Sequence, residues 1–105
     1  MPTAVYAGVE VELDAEGYFE DPSAWTEEMA AEIARETGID ELTEEHWQVI
    51  KFMRDEFEKK GSGPTVRVLG KTSGVPMKRL YELFPGGPAK VAAKIAGIPK
   101  PRGCI

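Results

Sequence analysis

One thiol is the side chain best suited to chemistry in this sequence. Cys104 is the only cysteine among the 105 residues and stands one position before the C-terminal Ile105. The preceding residues 97–103 contain two prolines, which cannot continue a helix and favour an extended backbone, and Gly103 gives rotational freedom beside the thiol. A stiff segment with a free tip is suited to presenting a thiol to the binding site of another protein.

The reactive form of this side chain is the thiolate, and the ordinary pKa of a cysteine thiol is about 8.5. The charges around Cys104 act in opposite directions, since the carboxylate of Ile105 disfavours a second anion whereas Lys100 and Arg102 favour one. A thiolate that attacks a partner's persulfide takes up the outer sulfur, and a second thiol can remove it again. The alternatives are a buried apolar cysteine, for which this position is poorly suited, and a frayed tail without a role.

The other candidates for catalysis or metal binding have simpler explanations. His46 lies on the apolar face of a predicted helix without a metal partner at credible spacing, so we expect a core or helix-start residue rather than an assistant of the thiol. Paired glutamates at 27–28 and 44–45 fall in first helical turns, where they complement the helix dipole. Gly61-Ser62-Gly63 lacks the Lys-Ser/Thr ending of a phosphate-binding loop. The sequence therefore predicts no metal site and no cofactor.

Charge is divided unevenly between the two halves of the chain. Residues 1–63 hold five Lys or Arg against 17 Asp or Glu, a balance of −12, whereas residues 64–105 hold eight against one, a balance of +7. Such a dipolar chain either attracts its own halves in one fold or uses its basic end to meet an acidic partner or a nucleic acid. The cations of the basic half are Arg67, Lys71, Lys78, Arg79, Lys90, Lys94, Lys100 and Arg102.

Hydrophobic spacing and turn residues predict the elements that position the thiol. A β-hairpin turns at Ala7-Gly8, with Val9, Val11 and Leu13 on one face. Five helices follow, the longest of them expected at the centre of the core. Their predicted ranges are about 25–36, 43–60, 64–71, 77–83 and 89–96, with Trp25 inside the first helix and Pro64 in the first turn of the third.

The fold class is therefore mainly α: a small orthogonal helical bundle with an N-terminal β-hairpin, a helix-turn-helix-like segment and a flexible C-terminal arm. Residues 1–96 are predicted to form a single domain and residues 97–105 the arm that carries the thiol. No apolar run approaches the ~18 residues of a membrane helix, and the N-terminus lacks the pattern of a secretory signal. A lone thiol and the missing signal favour a cytoplasmic protein.

The two short helices between residues 64 and 84 leave a second class of function open. They resemble a helix-turn-helix, so a nucleic-acid-binding protein is an alternative, with residues 77–83 as its recognition helix. Only Lys78, Arg79 and Tyr81 of that helix could read a groove, and the chain is acidic overall. We therefore expect at most indirect contact with nucleic acid.

The C-terminal third resembles the DsrC/TusE family of small sulfur-carrier proteins. The signature is Leu83-Phe84-Pro85-Gly86-Gly87-Pro88-Ala89-Lys90 followed by Lys94-Ile95-Ala96-Gly97-Ile98-Pro99-Lys100-Pro101-Arg102-Gly103-Cys104-Ile105. The penultimate cysteine on its Pro-Lys-Pro arm is highly specific, and weaker similarity extends to Asp14-Ala15-Glu16-Gly17-Tyr18 and Glu45-His46-Trp47. The fold that the resemblance implies, a helical bundle with an N-terminal hairpin and a mobile arm, agrees with the elements predicted above.

The resemblance also implies a division by a second cysteine. Members that serve dissimilatory sulfite reductase carry it eleven positions before the terminal one and use both thiols, whereas Ala93 occupies that position here. One cysteine resembles TusE-type members, which take sulfur from a TusBCD- or DsrEFH-like donor complex and pass it to the tRNA 2-thiouridylase. The short segment 71–79 departs from the longer TusE form of enteric bacteria. The alternative is a DsrC-type gamma subunit of dissimilatory sulfite reductase, or a one-cysteine carrier in another sulfur pathway.

We therefore expect a monomeric, cytoplasmic persulfide carrier of the sulfurtransferase type rather than a stand-alone catalyst. Cys104 is the expected acceptor and donor of sulfur. Lys100 and Arg102 are expected to assist electrostatically, and Arg67 to help dock the arm.

Overall fold

The computed structural model describes residues 2–101, in which a β-hairpin is followed by helices. Strands β1 and β2 pair antiparallel, and a 3₁₀ turn precedes the first of five α-helices. The bounds are β1 Thr3–Tyr6, β2 Val9–Glu12, the 3₁₀ helix Pro22–Ala24, α1 Glu27–Glu36, α2 Glu44–Lys60, α3 Val66–Thr72, α4 Met77–Leu83 and α5 Pro88–Ile95. The predicted fold class, with its hairpin and five helices, is confirmed.

The hairpin turns at Ala7-Gly8, as predicted. Ala7 and Gly8 have φ values of 49° and 77°, and two left-handed residues give a two-residue turn whose twist matches that of the strands. Tyr6 pairs with Val9 across the turn. The expected apolar face is only partly realised, because Val11 is 3% exposed but Val9 at the end of the ribbon is 48% exposed.

The beginning of α1 differs from the prediction. Trp25 has an extended backbone and lies outside the helix, whose N-cap is Thr26. The 3₁₀ helix causes this, since the Asp21 carboxylate accepts a hydrogen bond from the Ser23 backbone N–H and stabilises a separate short turn before α1. The apolar spacing of Trp25 with Met29 therefore reflects a shared core rather than a shared helix.

The ends of α2 follow the predicted signals. Thr43 caps the helix, and the His46 ring accepts through Nδ1 a hydrogen bond from the Thr43 backbone N–H. The other ring nitrogen, Nε2, lies 2.9 Å from the Leu83 carbonyl, which can only accept, so the Nε2–H tautomer satisfies both contacts. His46 is thus a buried helix-start residue, as expected, and joins α2 to the end of α4. Gly61, with φ 77°, ends α2.

Helix α3 begins later than predicted. Pro64 lies before the helix, because Thr65 is its N-cap and accepts a hydrogen bond from the Val68 backbone N–H. Helix α4 has the predicted bounds. The turn between α3 and α4 contains the buried Ser73, whose hydroxyl donates to the Leu69 carbonyl and accepts from the Val75 backbone N–H.

The most connected helix is α5, although the longer α2 was expected at the centre. Helix α5 packs against each of the other four helices. Three of its five buried residues are alanine, and small side chains let neighbouring helices approach closely. The buried residues of α5 are Pro88, Ala89, Ala92, Ala93 and Ile95, and Ala96 after the helix is also buried.

Within the described residues, no helix is long and apolar enough to cross a membrane.

Candidate functional site

The chain beyond α5 is described as far as Pro101. The predicted site residues Arg102 and Cys104 lie outside the described residues. Gly97 and Pro101 are buried, and Ile98 is 1% exposed, so residues 97–101 pack against the domain. We call these five residues the arm base. The domain boundary at residue 96 and the mobility of the arm stay predictions.

Helix α5 ends in a Schellman motif that leads into the arm base. The Ile98 N–H donates to the Ala93 carbonyl, the Gly97 N–H donates to the Lys94 carbonyl, and Gly97 has a left-handed φ of 68°. Ala93, which holds the position of the second family cysteine, is therefore a fully buried member of this helix end. The motif satisfies two of the carbonyls that the last turn of a helix leaves unpaired.

Trp25 and Arg54 satisfy the next two carbonyls from other parts of the fold. The Trp25 Nε1–H donates to the Ile95 carbonyl at 2.8 Å, and Arg54 Nη1 donates to the Ala96 carbonyl at 2.7 Å. The guanidinium carbon lies 4.3 Å from the centroid of the Trp25 ring, within cation–π range. We call Trp25 and Arg54 the clamp.

The charge of Arg54 is well placed in this clamp. A cation at a helix C-terminus meets the negative end of the helix dipole, and here it also donates a hydrogen bond to Pro22 through Nη2 at 3.2 Å. Burial lowers the pKa of Arg54 from its ordinary value, because the charged form loses water. A guanidinium titrates so far above neutral pH that it remains charged here. The clamp therefore joins the 3₁₀ helix, α2 and α5 through one cation.

Two glycines allow this close packing. A Cβ at Gly97 would lie 2.3 Å from Trp25 Cδ1, so only glycine fits beneath the indole ring. A Cβ at Gly63, in the loop after α2, would lie 2.8 Å from Ile98 Cδ1 and 3.5 Å from Pro101 Cγ. The arm base is thus held between the Trp25 ring on one segment and the Gly63 loop on another.

The predicted docking cations have different surroundings. Lys100 Nζ lies 2.8 Å from Glu16 Oε2, and this hydrogen bond is the main reason why the pKa of Lys100 is raised. Arg67 is exposed on α3 and has no ion pair with any residue in the described range 2–101. No hydrogen bond or ion pair in that range joins Arg67 to the segment of Lys100, which is bonded to Glu16. The roles predicted for these two residues stay predictions.

Other members of the basic half are also engaged with acidic or aromatic groups. Arg79 Nη2 lies 2.6 Å from Glu45 Oε1, and this contact lowers the pKa of Glu45. Lys94 Nζ lies 5.2 Å from the centroid of Tyr18, a residue whose pKa burial raises. The halves of the chain therefore attract each other in one fold at several points, which was one of the two explanations for the charge division.

Two depressions open on the α2 surface rather than around the predicted docking cations. They have volumes of about 440 and 260 Å³ and share Glu27 and Lys51 in their lining. The smaller one also borders the clamp through Trp25 and Arg54. No group of three or more His, Cys, Asp or Glu side chains in the described part of the chain could hold a metal ion.

The family of the chain is shown by a match that extends over nearly its whole length. A family model described as "DsrC like protein" matches residues 5–105. The chain belongs to the DsrC-like family. The resemblance found in the C-terminal signature is thereby confirmed, and it extends through the hairpin, the clamp segments and α5.

Relatives within this family carry two different names. The gamma subunit of dissimilatory-type sulfite reductase from Nitratidesulfovibrio vulgaris is 38% identical over 105 residues, which cover 100% of both chains. The sulfurtransferase TusE of Escherichia coli (strain K12) is 43% identical over 108 aligned residues, which cover 96% of this chain and 98% of the relative. A chain in the crystal structure of dissimilatory sulfite reductase I (DsrI) superimposes with a TM-score of 0.88 at 36% identity, covering 99% of this chain and 100% of that one.

Sequence reasoning identified the thiol of this DsrC-like chain but missed the clamp. Trp25 was assigned to a helix and to the core, and Arg54 was not singled out. The available signal was Gly97 directly after an alanine-rich helix, which is typical of a left-handed helix end. That signal locates the end of α5, but it does not reveal which distant side chains cover the remaining carbonyls.

Proposed function

We propose that this protein is a sulfur-relay carrier that accepts persulfide sulfur on Cys104 and passes it to a partner. The observation that carries the proposal is the position of the only thiol, one residue from the C-terminus, directly beyond an arm base packed on the domain. Cys104 lies three residues beyond Pro101, so the Cα atoms of the two residues are at most about 11 Å apart. Membership of the DsrC-like family supports this function.

The proposed chemistry is an exchange of sulfur between thiols. The Cys104 thiolate attacks the outer sulfur of a donor persulfide, R–S–SH. The bond between the two donor sulfurs breaks, the donor leaves as a thiolate, and Cys104 becomes Cys–S–SH. An acceptor thiolate then attacks the outer sulfur and releases the Cys104 thiolate. Each step forms one sulfur–sulfur bond and breaks one, so no external oxidant or reductant is consumed.

The three predicted cations have unequal parts in this proposal. Arg102 stands two residues from the thiol and is the nearest cation in sequence. Lys100 is paired with Glu16, so its charge is shared with a carboxylate before it can favour the Cys104 thiolate. Arg67 is exposed and serves in the proposal as a docking contact for the arm or for an acidic partner.

A single thiol favours transfer between proteins over a redox cycle within one chain. Ala93 is fully buried and Cys104 is the only cysteine, so one chain cannot form an internal disulfide. We therefore propose a cytoplasmic, monomeric, TusE-type role, in which a TusBCD- or DsrEFH-like complex donates sulfur and the tRNA 2-thiouridylase accepts it. Nucleic acid would be met only through that enzyme.

A gamma-subunit role in dissimilatory sulfite reductase is the second candidate. It is favoured by the full-length similarity to the Nitratidesulfovibrio vulgaris subunit and by the match to a chain of the DsrI structure. The two candidates share the Cys104 chemistry and differ in the acceptor.

Intact-mass measurement tests the proposed function. The purified chain is incubated with a persulfide-bearing sulfurtransferase and its mass is compared with that of Cys104→Ser. The wild type is expected to gain ~32 Da, the mass of one sulfur atom, and the variant to gain nothing. A wild type that stays at its original mass while the donor remains loaded would contradict the carrier role.

The second experiment separates the two candidate pathways. The loaded chain is offered in parallel to a tRNA 2-thiouridylase and to the catalytic subunits of a dissimilatory sulfite reductase. Loss of the extra sulfur to the first enzyme supports the TusE-type role. Stable copurification with the second, without transfer to the first, supports the gamma-subunit role.

A further inference from the structure

The carbonyl groups at the end of α5 are all accounted for, and by two kinds of partner. The Ala93 and Lys94 carbonyls accept from the backbone of the Schellman motif, whereas the Ile95 and Ala96 carbonyls accept from side chains of other elements. These side chains come from 70 and 42 positions away in sequence. Ile95 and Ala96 are fully buried, so protein donors take the place of water at these carbonyls and tie the start of the arm base to Trp25 and to α2.

We propose that Trp25 and Arg54 are positioning residues for the thiol, which fix the point where the arm leaves the domain. This inference rests on the proposed carrier function. With the clamp closed, residues 97–101 remain seated and the arm begins after Pro101. With the clamp open, only the Schellman motif, Ile98 and Pro101 hold the arm base, so it leaves its seat more often and the tether between domain and thiol is longer on average.

Two separate sets of contacts hold the arm base against the domain. The clamp grips the carbonyls and the glycine at the start of the arm base, while Ile98 and Pro101 lie against the Gly63 loop further along. Ile98 is 1% exposed, so its apolar burial reinforces the same seat. The seat of the arm base is thus formed by buried contacts as well as by the surface ion pair of Lys100.

Tether length determines how often a carried thiol meets a docked partner. The tether contains three residues from 102 to 104 when the arm base is seated and eight residues from 97 to 104 when it is fully released. The effective concentration of a tethered group falls roughly as the −3/2 power of tether length, so full release would slow transfer between proteins about four-fold. Reaction of the thiol with a small reagent does not depend on docking and should change little.

Clamp variants test this inference, with matched controls in the same chain. Arg54→Gln removes the charge and the hydrogen bond to Ala96, and Trp25→Phe keeps a ring but removes the donor to Ile95. Arg54→Lys keeps the charge and serves as the conservative variant. The controls are Arg35→Gln, at an exposed position on α1, and Trp47→Phe on α2, neither of which contacts the arm base through a hydrogen bond within the described residues.

The first measurement uses the single cysteine as a labelling site. A nitroxide attached to Cys104 reports rotational freedom by electron paramagnetic resonance, measured well below the melting temperature of every variant. Arg54→Gln and Trp25→Phe are expected to sharpen the spectrum, Arg54→Lys to give an intermediate one, and both controls to match the wild type. Spectra of the clamp variants that equal those of their controls would overturn the inference and leave the clamp a purely structural feature.

The second measurement compares two rates on unlabelled protein. Sulfur transfer from a persulfide-bearing donor protein is expected to slow between about two-fold and four-fold in Arg54→Gln, while alkylation of Cys104 by a small reagent changes less than about two-fold. Equal transfer rates in Arg54→Gln and Arg35→Gln would also count against the inference. If the wild type takes up no sulfur, the carrier function itself fails, whereas the nitroxide comparison still decides the role of the clamp.

Discussion

The α3–α4 segment and the arm base lie in the same basic half of the chain, but they are held in different ways. Helix α4 exposes Tyr81 at 53%, and Arg79 forms a surface ion pair with Glu45 of α2, whereas Ser73 in the turn before α4 is buried. The arm base has no helix of its own, and it is held by the half-buried clamp, by the Schellman motif and by Ile98 at 1% exposure. The helical segment is therefore anchored by its own buried residues, and the irregular segment by hydrogen bonds that two other elements donate to a helix end.

This difference bears on which of the two segments is the functional region. A nucleic-acid-reading helix would present its cations outward, but Arg79 is paired with Glu45 and Glu82. Side chains from two other elements converge instead on the helix end that leads to Cys104. Arg79 is thus engaged within the fold, and the comparison supports the proposed thiol arm over the helix-turn-helix-like segment as the functional region.

Gly97→Ala should have the largest effect on stability. The new Cβ would overlap the Trp25 ring and force an alanine into a left-handed backbone, so we expect a loss of about 3 kcal/mol in the free energy of unfolding. Gly61→Ala is the matched control, because its φ of 77° is similar but nothing lies within 4 Å of the added atom. Chemical denaturation of both variants separates overlap from backbone strain. Equal losses would show that the Trp25 contact contributes nothing.

Gly63→Ala should have the next largest effect. Its Cβ would approach Ile98 Cδ1 to 2.8 Å, but that atom is the end of a side chain that can shift, so we expect a loss of about 2 kcal/mol in unfolding free energy. Ser62→Ala, one residue earlier in the same loop, should change stability little. A Gly63→Ala variant as stable as Ser62→Ala would contradict the conclusion that this loop packs tightly against the arm base.

Ser73→Ala tests the better-buried part of the α3–α4 segment. The variant leaves the Val75 N–H without its side-chain acceptor in a buried turn, and we expect a loss of about 1 kcal/mol in unfolding free energy. Thr72→Ala, at the neighbouring exposed position, is the control. A loss of unfolding free energy greater than that of Gly97→Ala would contradict the expected order of the two effects.

Arg79→Gln should have the smallest effect, because its ion pairs are exposed and screened by salt. Arg79 lowers the pKa of Glu45, so its contribution exists above the ordinary pKa of that carboxyl and disappears as pH falls through the lowered value. We expect a small drop in melting temperature at pH 7 and low salt, which shrinks as the pH is lowered below the ordinary pKa of Glu45. A difference between variant and wild type that persists in acid would contradict the ion-pair explanation.

Local signals in the sequence predicted most of the elements. Thr43 and Gly61 mark the ends of α2, and Ala7-Gly8 marks the hairpin turn, because capping and left-handed turns depend on adjacent residues. The start of α1 was placed too early because Asp21 caps a separate 3₁₀ helix that leaves Trp25 extended. The hydrogen bond from Trp25 to Ile95 joins residues far apart in sequence, so local signals did not predict it. Pro64 was misplaced because the hydroxyl of Thr65 supplied the stronger helix-start signal.

The candidate site likewise has one part that local sequence patterns suggest and another part that they do not. Cys104 could be predicted from its position and its neighbours, since a penultimate thiol after two prolines is a local pattern. The clamp could not, because Trp25, Arg54 and Ala96 lie on three different elements and meet only when the bundle has formed. The chemistry proposed for Cys104 thus rests on residue type and position, whereas the contacts of the arm base depend on tertiary structure.

The central claim, that Cys104 carries sulfur rather than merely binding it, is tested most directly by following one labelled sulfur atom. A donor persulfide enriched in a heavy sulfur isotope loads the chain, the donor is removed, and a second thiol protein of the relay is added while the intact masses of both proteins are recorded. We predict that the wild type first gains and then loses the labelled atom, which appears on the second protein in equal amount, and that Cys104→Ser does neither. A labelled sulfur that stays on the wild type, or that reaches the second protein equally well through Cys104→Ser, would contradict the account.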